Sequence, residues 1–556
     1  MSDALDRFLD HYYRRRPVNA TFTGVHDYDD RLPDWSPEGL QSLDDEMKGL
    51  HAELLAAHPP ASSPAVYRDD PDALDAELAR AFLEIQRAEN ASAHGIRGNP
   101  SLWTGEAIFS IIPLMTREFA PVNERLLAAT ARLDAVPAFL DQAYQTLGDR
   151  PIPSSWATRA LRECEGASIL LNRGIQSWIE STPSISARVP KLRAAAEQAS
   201  IAFAKFADWL TERPLAPHAL MSCGNTLYDL LLARGHHCTK SRAQLLADAR
   251  KQLTLARARL DELAREAAGS WEAAQEALAA DHPSSRDFLD AFTRSWKSCC
   301  ETATMRDVVT WPDWPLRYSP IPAPTRDAAP YLYYLYYRSP APFDRYDVYD
   351  YAVPLVPSTP GSADAHLRTW NNSAIKLNHV VHHGAIGHHV QNWHAYHRAP
   401  SRAGKIAAVD CASRIGMFGG GTMAEGWACY VGEVMEELDF LTPLERVSQQ
   451  HSRVRFLARA IVDIELHQSS MTFDDAIAFY RDQAGLSADA ARAEAVKNSM
   501  FPCTAVMYWL GTQAILDLRE QVKAARGSSF SLKTFHDELL GHGSIPVPLI
   551  ARMMMT

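Results

Sequence analysis

In residues 240–267, KSRAQLLADARKQLTLARARLDELAREA, apolar side chains return at positions 246, 249, 253, 256, 260 and 263. A repeat near 3.6 residues gathers them on one face of a helix and leaves the rest charged, so the segment must lie against a hydrophobic neighbour. Ser241 and Gln244 have the spacing of a capping box at its start. The stretch 192–210 repeats the pattern and ends before Pro214. Helical patterns also cover 70–95, 120–147, 285–306, 423–439, 446–468 and 502–524. The expected fold is therefore mainly α, with two helical lobes around a central cleft.

Helical periodicity fails only across 309–362. That segment holds eleven prolines, and eight of the nineteen tyrosines fall between 331 and 351. Tyrosine-rich runs between prolines predict short strands in an ordered connector. Such a segment lines a cleft, or covers a surface between lobes with amphipathic rings. The expected organisation is a helical lobe over 1–308, this connector over 309–362, and a helical lobe over 363–556 that carries the chemistry.

Composition narrows the function. At 46 % hydrophobic and 22 % charged, with a net charge of −11, the chain has material for a large core and no basic run suited to nucleic acid. No apolar run reaches the ~18 residues that span a bilayer, and no secretory signal follows the first arginines. The eight cysteines have no CxxC spacing and read as buried thiols rather than a disulfide framework; the adjacent Cys299 and Cys300 point in different directions on a helix, an arrangement that rarely makes a site. The expectation is a cytoplasmic protein with a small-molecule partner, no nucleic acid and no membrane. Oligomeric state is not legible.

Residues 379–397, HVVHHGAIGHHVQNWHAYH, concentrate seven of the 21 histidines. Neutral imidazole is the commonest nitrogen ligand of transition metals, so the cluster points to a metal site. Several pairings compete. His379 and His383 have the i,i+4 spacing that brings two rings to one ion on a helix. His382 and His388 are six residues apart, which on an ideal helix means about 9 Å of rise and about 240° of rotation. Gly384 and Gly387 lie between them, and a chain bent at those glycines brings the two together. A carboxylate normally completes such a site, and Glu425 in GTMAEGWACYVGEVMEEL is the best candidate, with Trp427 and Tyr430 nearby to shape a pocket. Otherwise Glu425 is a glutamate favourably placed near a helix N-terminus.

These segments, taken in order, resemble the bacterial family catalogued as domain of unknown function 885, a helical, zincin-like group with a peptidase flavour. PVNATFTGVHDYDDRLPDWSPEGL looks like its opening and GNTLYDLLLARGHHCTKSRAQLL like its central segment. HHGAIGHHVQ sits where the family has a pattern like HExxPGHHLQ, and AEGWACYVGE where it has EGWALYAE. ARAIVDIELHQ, FPCTAVMYWLG and FHDELLGHGSIPVPLI follow in the family's order. The resemblance implies that His382, His388 and Glu425 hold the metal, with His389 as the substitute if the register shifts. It implies that Tyr508 stabilises negative charge. Asp463 and His467 either line the site and support a ligand, or are an ordinary helical pair.

The departures bear on the chemistry. His383 stands where the family has the glutamate that acts as general base in a zinc hydrolase. Ile386 replaces the motif's proline, Cys503 and Thr504 replace a glycine and a glutamine, and Trp509 replaces a lysine. Lys497 and Asn498 replace an arginine–tyrosine pair. Three readings follow. His383 serves as an altered base, since neutral imidazole accepts a proton; or it joins the metal in a site suited to iron or another divalent transition metal; or the chain is a catalytically dead, peptidase-like binding protein. The expected activity is zinc-dependent hydrolysis of a C–N bond in a small amino-acid-derived substrate. A metal-dependent lyase or redox reaction is the alternative.

Overall fold

The computed structural model describes residues 3–61, 63–182, 188–216, 221–332, 337, 339–345, 347–411 and 414–555. It is mainly α-helical, as the periodicity requires. The periodic stretch 240–267 forms the helix Arg242–Ala268, which buries Leu245, Ala249, Leu253, Leu260, Leu263 and Ala264. Its capping box forms: Ser241 Oγ accepts from Gln244 N–H, and Gln244 Oε1 accepts from Ser241 N–H. The apolar face packs along Pro443–His467, itself started by a Thr442–Glu445 capping box.

Strands are few and short. Within 309–362, Leu316–Pro320 pairs in parallel with Tyr349–Val353, Leu316 opposite Tyr349. Two further two-residue pairs join Ile152–Pro153 to Leu215–Ala216 and Asp410–Cys411 to Arg414–Ile415. Of the tyrosines singled out there, Tyr331, Tyr337, Tyr349 and Tyr351 are described; Tyr333, Tyr334, Tyr336 and Tyr346 lie outside the described residues.

Two hydrophobic cores hold the helices, and each draws on both halves of the chain. One joins Trp103, Trp156 and Phe206 to Ile461, Tyr480 and Val506. The other joins Phe8, Phe82 and Phe292 to Val380, Trp427 and Ile550. Two helices of the second core, Gly421–Glu437 and Met507–Arg526, meet backbone to backbone. A Cβ on Gly426 would sit 2.6 Å from Gly511 Cα, and one on Gly511 would sit 2.1 Å from Thr422 O. Only glycine permits that approach, and it sets the helix bearing Glu425 against the helix bearing Tyr508.

The connector is tied to the N-terminal segment by His26. Its Nδ1 lies 2.8 Å from Asp29 Oδ2 and its Nε2 2.9 Å from Asp344 Oδ1, while the ring stacks on Phe119. Burial opposes protonation, but the two carboxylates outweigh it and raise the imidazole from 6.5 to about 9. A folded-state value above the unfolded one means the stabilisation is complete below pH 6.5 and disappears as pH rises through 9. His26→Gln should therefore lower stability by on the order of 2 kcal/mol at pH 6, after allowance for partial exposure. Denaturation midpoints of both proteins from pH 6 to 10 test this, because the gap between them should close near pH 9 to 10. A constant gap would assign His26 a packing role instead.

Candidate metal centre

The histidine cluster is bent where its glycines allow. Ile375–Gly384 is a π-helix, a widened form that recurs at functional sites, and it ends at Gly384 before a new helix, His388–Arg398, begins. Ala385 N–H donates to Val380 O and Gly387 N–H to Val381 O, each at 2.8 Å, so the turn closes tightly on the preceding coil. Buried Trp427 pins it from below, its Nε1–H donating to Ile386 O (2.9 Å) and Gly387 O (3.2 Å). Trp427 thus holds the turn from within the core, and Tyr430 is bonded to His536 (2.8 Å) in the same core; the pocket wall expected of both is built by other residues.

The bend brings the His382 and His388 rings to 4.9 Å between centroids, nearly perpendicular. Glu425, one turn into Gly421–Glu437, meets them: its Oε2 lies 3.4 Å from His382 Nε2 and 3.9 Å from His388 Nε2. Burial raises the Glu425 carboxyl, but His382, His388 and Lys497 outweigh it and hold it well below the usual carboxylate range. Its Oε2 is buried with no hydrogen-bond partner among the described residues. On the far side of His388, Nδ1 faces Gln391 Oε1 at 3.3 Å, and Gln391 donates to Ser544 Oγ. With Nδ1–H so occupied, the Nε2 lone pair of His388 is turned toward Glu425. Burial first, then the His382 charge, lowers His388 to about 4 despite Glu425.

His383 is adjacent. Its Nδ1–H donates to Asn378 O at 2.6 Å, which assigns the Nε2 lone pair as its free acceptor. Ligand atoms of His382, His383 and His388 all lie within 4.8 Å of one another, as do those of His382, Glu425 and Cys429. Cys429 is a donor that the sequence reading passed over, although its i,i+4 spacing from Glu425 places it on the same helical face. Burial, reinforced by His382 and His388, pushes His383 well below 6.5, so it is neutral.

The other candidates lie apart. His379 shares a 2.6 Å hydrogen bond with Tyr351 and stacks on Trp370 at 4.1 Å, bracing the π-helix. His389 is fully buried, with Nε2–H donating to Trp314 O (2.9 Å) and Nδ1 facing Tyr337 (3.2 Å), so both ring nitrogens are engaged away from Glu425. Asp463 accepts from Cys503 N–H (3.1 Å) and Val506 N–H (3.0 Å). It thereby fixes a turn in which Cys503 adopts φ 60°, a left-handed conformation suited to glycine. Burial pushes Asp463 up to about 7 against those amides. His467 donates from Nε2–H to Asn498 O (2.9 Å). The pair therefore supports the cavity wall rather than the imidazole cluster.

His383, His388, Glu425 and Tyr508 share one cavity of about 130 Å³, which Arg459, Lys497, Asn498 and the 500–508 turn also line. Tyr508 stacks on Phe456 (5.4 Å between centroids), with the Arg459 guanidinium 4.8 Å from its ring.

A helical protein in which two imidazoles converge on a carboxylate, with a third imidazole beside them at the wall of one cavity, is what the fold and site define. Residues 17–554 match the family described as bacterial protein of unknown function, DUF885, and the chain belongs to that family. Its fold is shared by a solved "putative lipoprotein of unknown function" from Shewanella oneidensis, at TM-score 0.76 and 20% identity, over 100% of this chain and 99% of that one. A second protein so named, from Colwellia psychrerythraea, aligns at TM-score 0.79 and 18% identity over the same shares. No curated protein matches the chain.

Proposed function

We propose that the protein is a metal-dependent enzyme, most simply a zinc enzyme, that hydrolyses a C–N bond in a small amino-acid-derived substrate. One observation carries this reading: a buried, unpartnered carboxylate oxygen lies 3.4 and 3.9 Å from two imidazole nitrogens. Lewis bases converge this way to share a cation, and two histidines with a glutamate are a known catalytic zinc set. His382, His388 and Glu425 would hold the ion, whose contribution is Lewis acidity toward a substrate carbonyl.

The chain's own residues supply the rest. His383, neutral and held by Asn378 O, presents Nε2 to the cavity as proton acceptor and donor in place of the family's glutamate. Tyr508 lines the same cavity and is assigned to donate to the developing oxyanion. The proximity of three imidazoles favours a second reading, in which His383 is itself a ligand and the metal is iron or another transition ion. No described helix is long and apolar enough to cross a membrane. The cytoplasm is the proposed compartment.

Elemental analysis of untagged protein tests the centre. About one equivalent of zinc or iron per chain is expected, absent from His382→Ala. A metal-free protein that does not take up zinc on reconstitution would overturn the proposal.

A further inference from the structure

We infer that Cys429 is a thiolate ligand of the ion assigned to His382 and Glu425, which makes the centre selective for a sulfur-binding metal of the zinc class. This inference rests on the metal reading above and adds a donor and a selectivity to it.

Glu425 and Cys429 stand four residues apart on Gly421–Glu437, so both side chains leave the same face of that helix. His382 comes to them from the π-helix packed against it, Ile375–Gly384. The ligand atoms of these three residues lie within 4.8 Å of one another. Filling apolar space is the ordinary role of a buried cysteine. Cys164, Cys299, Cys411 and Cys503 have that role, each being a member of one of the two hydrophobic cores. Cys429 is also buried, yet it belongs to neither core. Its neighbours are instead an imidazole and a carboxylate, and the carboxylate's Oε2 is buried with no hydrogen-bond partner among the described residues. The thiol therefore leaves that oxygen unsatisfied, close as it is. A cation satisfies the oxygen and the sulfur together. Imidazole, carboxylate and thiolate are all zinc ligands, whereas magnesium and calcium take oxygen donors. Soft sulfur thus biases the centre against those ions and towards zinc. A coordinating thiol is deprotonated outright. Its S–H bond breaks, the proton passes to solvent, and the sulfur keeps the electron pair that it presents to the ion.

The test is cobalt(II) reconstitution of the full chain after a chelator has removed any metal, read by electronic absorption beside elemental analysis. A thiolate on cobalt gives a sulfur-to-cobalt charge-transfer band in the near ultraviolet, which imidazole and carboxylate ligands do not. The unmutated protein should take up cobalt and show the band. Cys429→Ala and Cys429→Ser should lose the band while still taking up cobalt from excess, and should bind zinc about tenfold or more weakly. Cobalt uptake without the band in the unmutated protein overturns the inference and leaves the metal reading standing, whether or not either variant folds. A band that persists in a folded Cys429 variant belongs to another of the eight cysteines and likewise overturns it. Failure of the unmutated protein to take up either cobalt or zinc overturns both proposals.

Discussion

His383→Ala should reduce turnover of a C–N substrate by about 10²- to 10⁴-fold while leaving metal content unchanged, the range expected for removal of a general base. The structural reason lies in how the ring is held. Asn378 O takes the Nδ1 proton, so Nε2 is the working atom, and burial with two neighbouring imidazoles keeps the ring neutral. A neutral imidazole pushed well below 6.5 accepts protons less avidly than a glutamate tuned upward, so the unmutated protein should be slow on ordinary peptides. His383→Glu places a carboxylate base at this position and should raise peptide hydrolysis if the rest of the pocket admits a peptide. The decisive pairing is metal stoichiometry with kcat on the alanine variant. Activity and metal lost together would make His383 a ligand and favour the three-imidazole site. Unchanged activity would remove it from the mechanism.

Much of this centre was legible in the sequence because two of its parts are local. Seven histidines in nineteen residues mark the imidazole cluster by density alone, and Gly384 and Gly387 mark where the chain departs from a regular helix. Long helices such as Arg242–Ala268 were equally plain, since 3.6-residue periodicity and caps are properties of contiguous residues. What escaped depends on segments far apart in sequence. Trp427 looked like a pocket wall, yet its indole reaches back to the carbonyls of Ile386 and Gly387 and sets the imidazole geometry from within the core. His389 looked interchangeable with His388, but Trp314 and Tyr337 of the connector occupy both of its nitrogens. The tyrosine-rich segment braces the histidine helices in this way, a role that its composition did not disclose. Cys503 shows the reverse case. A residue other than glycine keeps φ 60° because Asp463 bonds its amide, and a buried carboxylate forty residues away sustains a strained turn.

Among the described glycines, Gly387→Ala brings the added methyl into the tightest clash and should be strongly damaging. A Cβ at this position would fall 1.8 Å from His382 O, 2.4 Å from His382 C and 2.7 Å from Val381 O, all backbone atoms that cannot swing aside. The glycine is not serving a left-handed conformation, since its φ is −73°; it is needed because the turn closes directly onto the preceding coil. Relief requires opening that turn, which breaks the Gly387 N–H to Val381 O bond and the Trp427 contacts and carries His388 away from His382. The expected cost is about 3 kcal/mol or more, with loss of bound metal in whatever fraction remains folded. Gly361→Ala, at a site with nothing within 4 Å of the added carbon, is the matched control and should lie within about 0.5 kcal/mol of the parent. Denaturant titration and elemental analysis of the two variants read both effects. A Gly387→Ala protein with parental stability and full metal would mean that the two histidines meet by some route other than this turn.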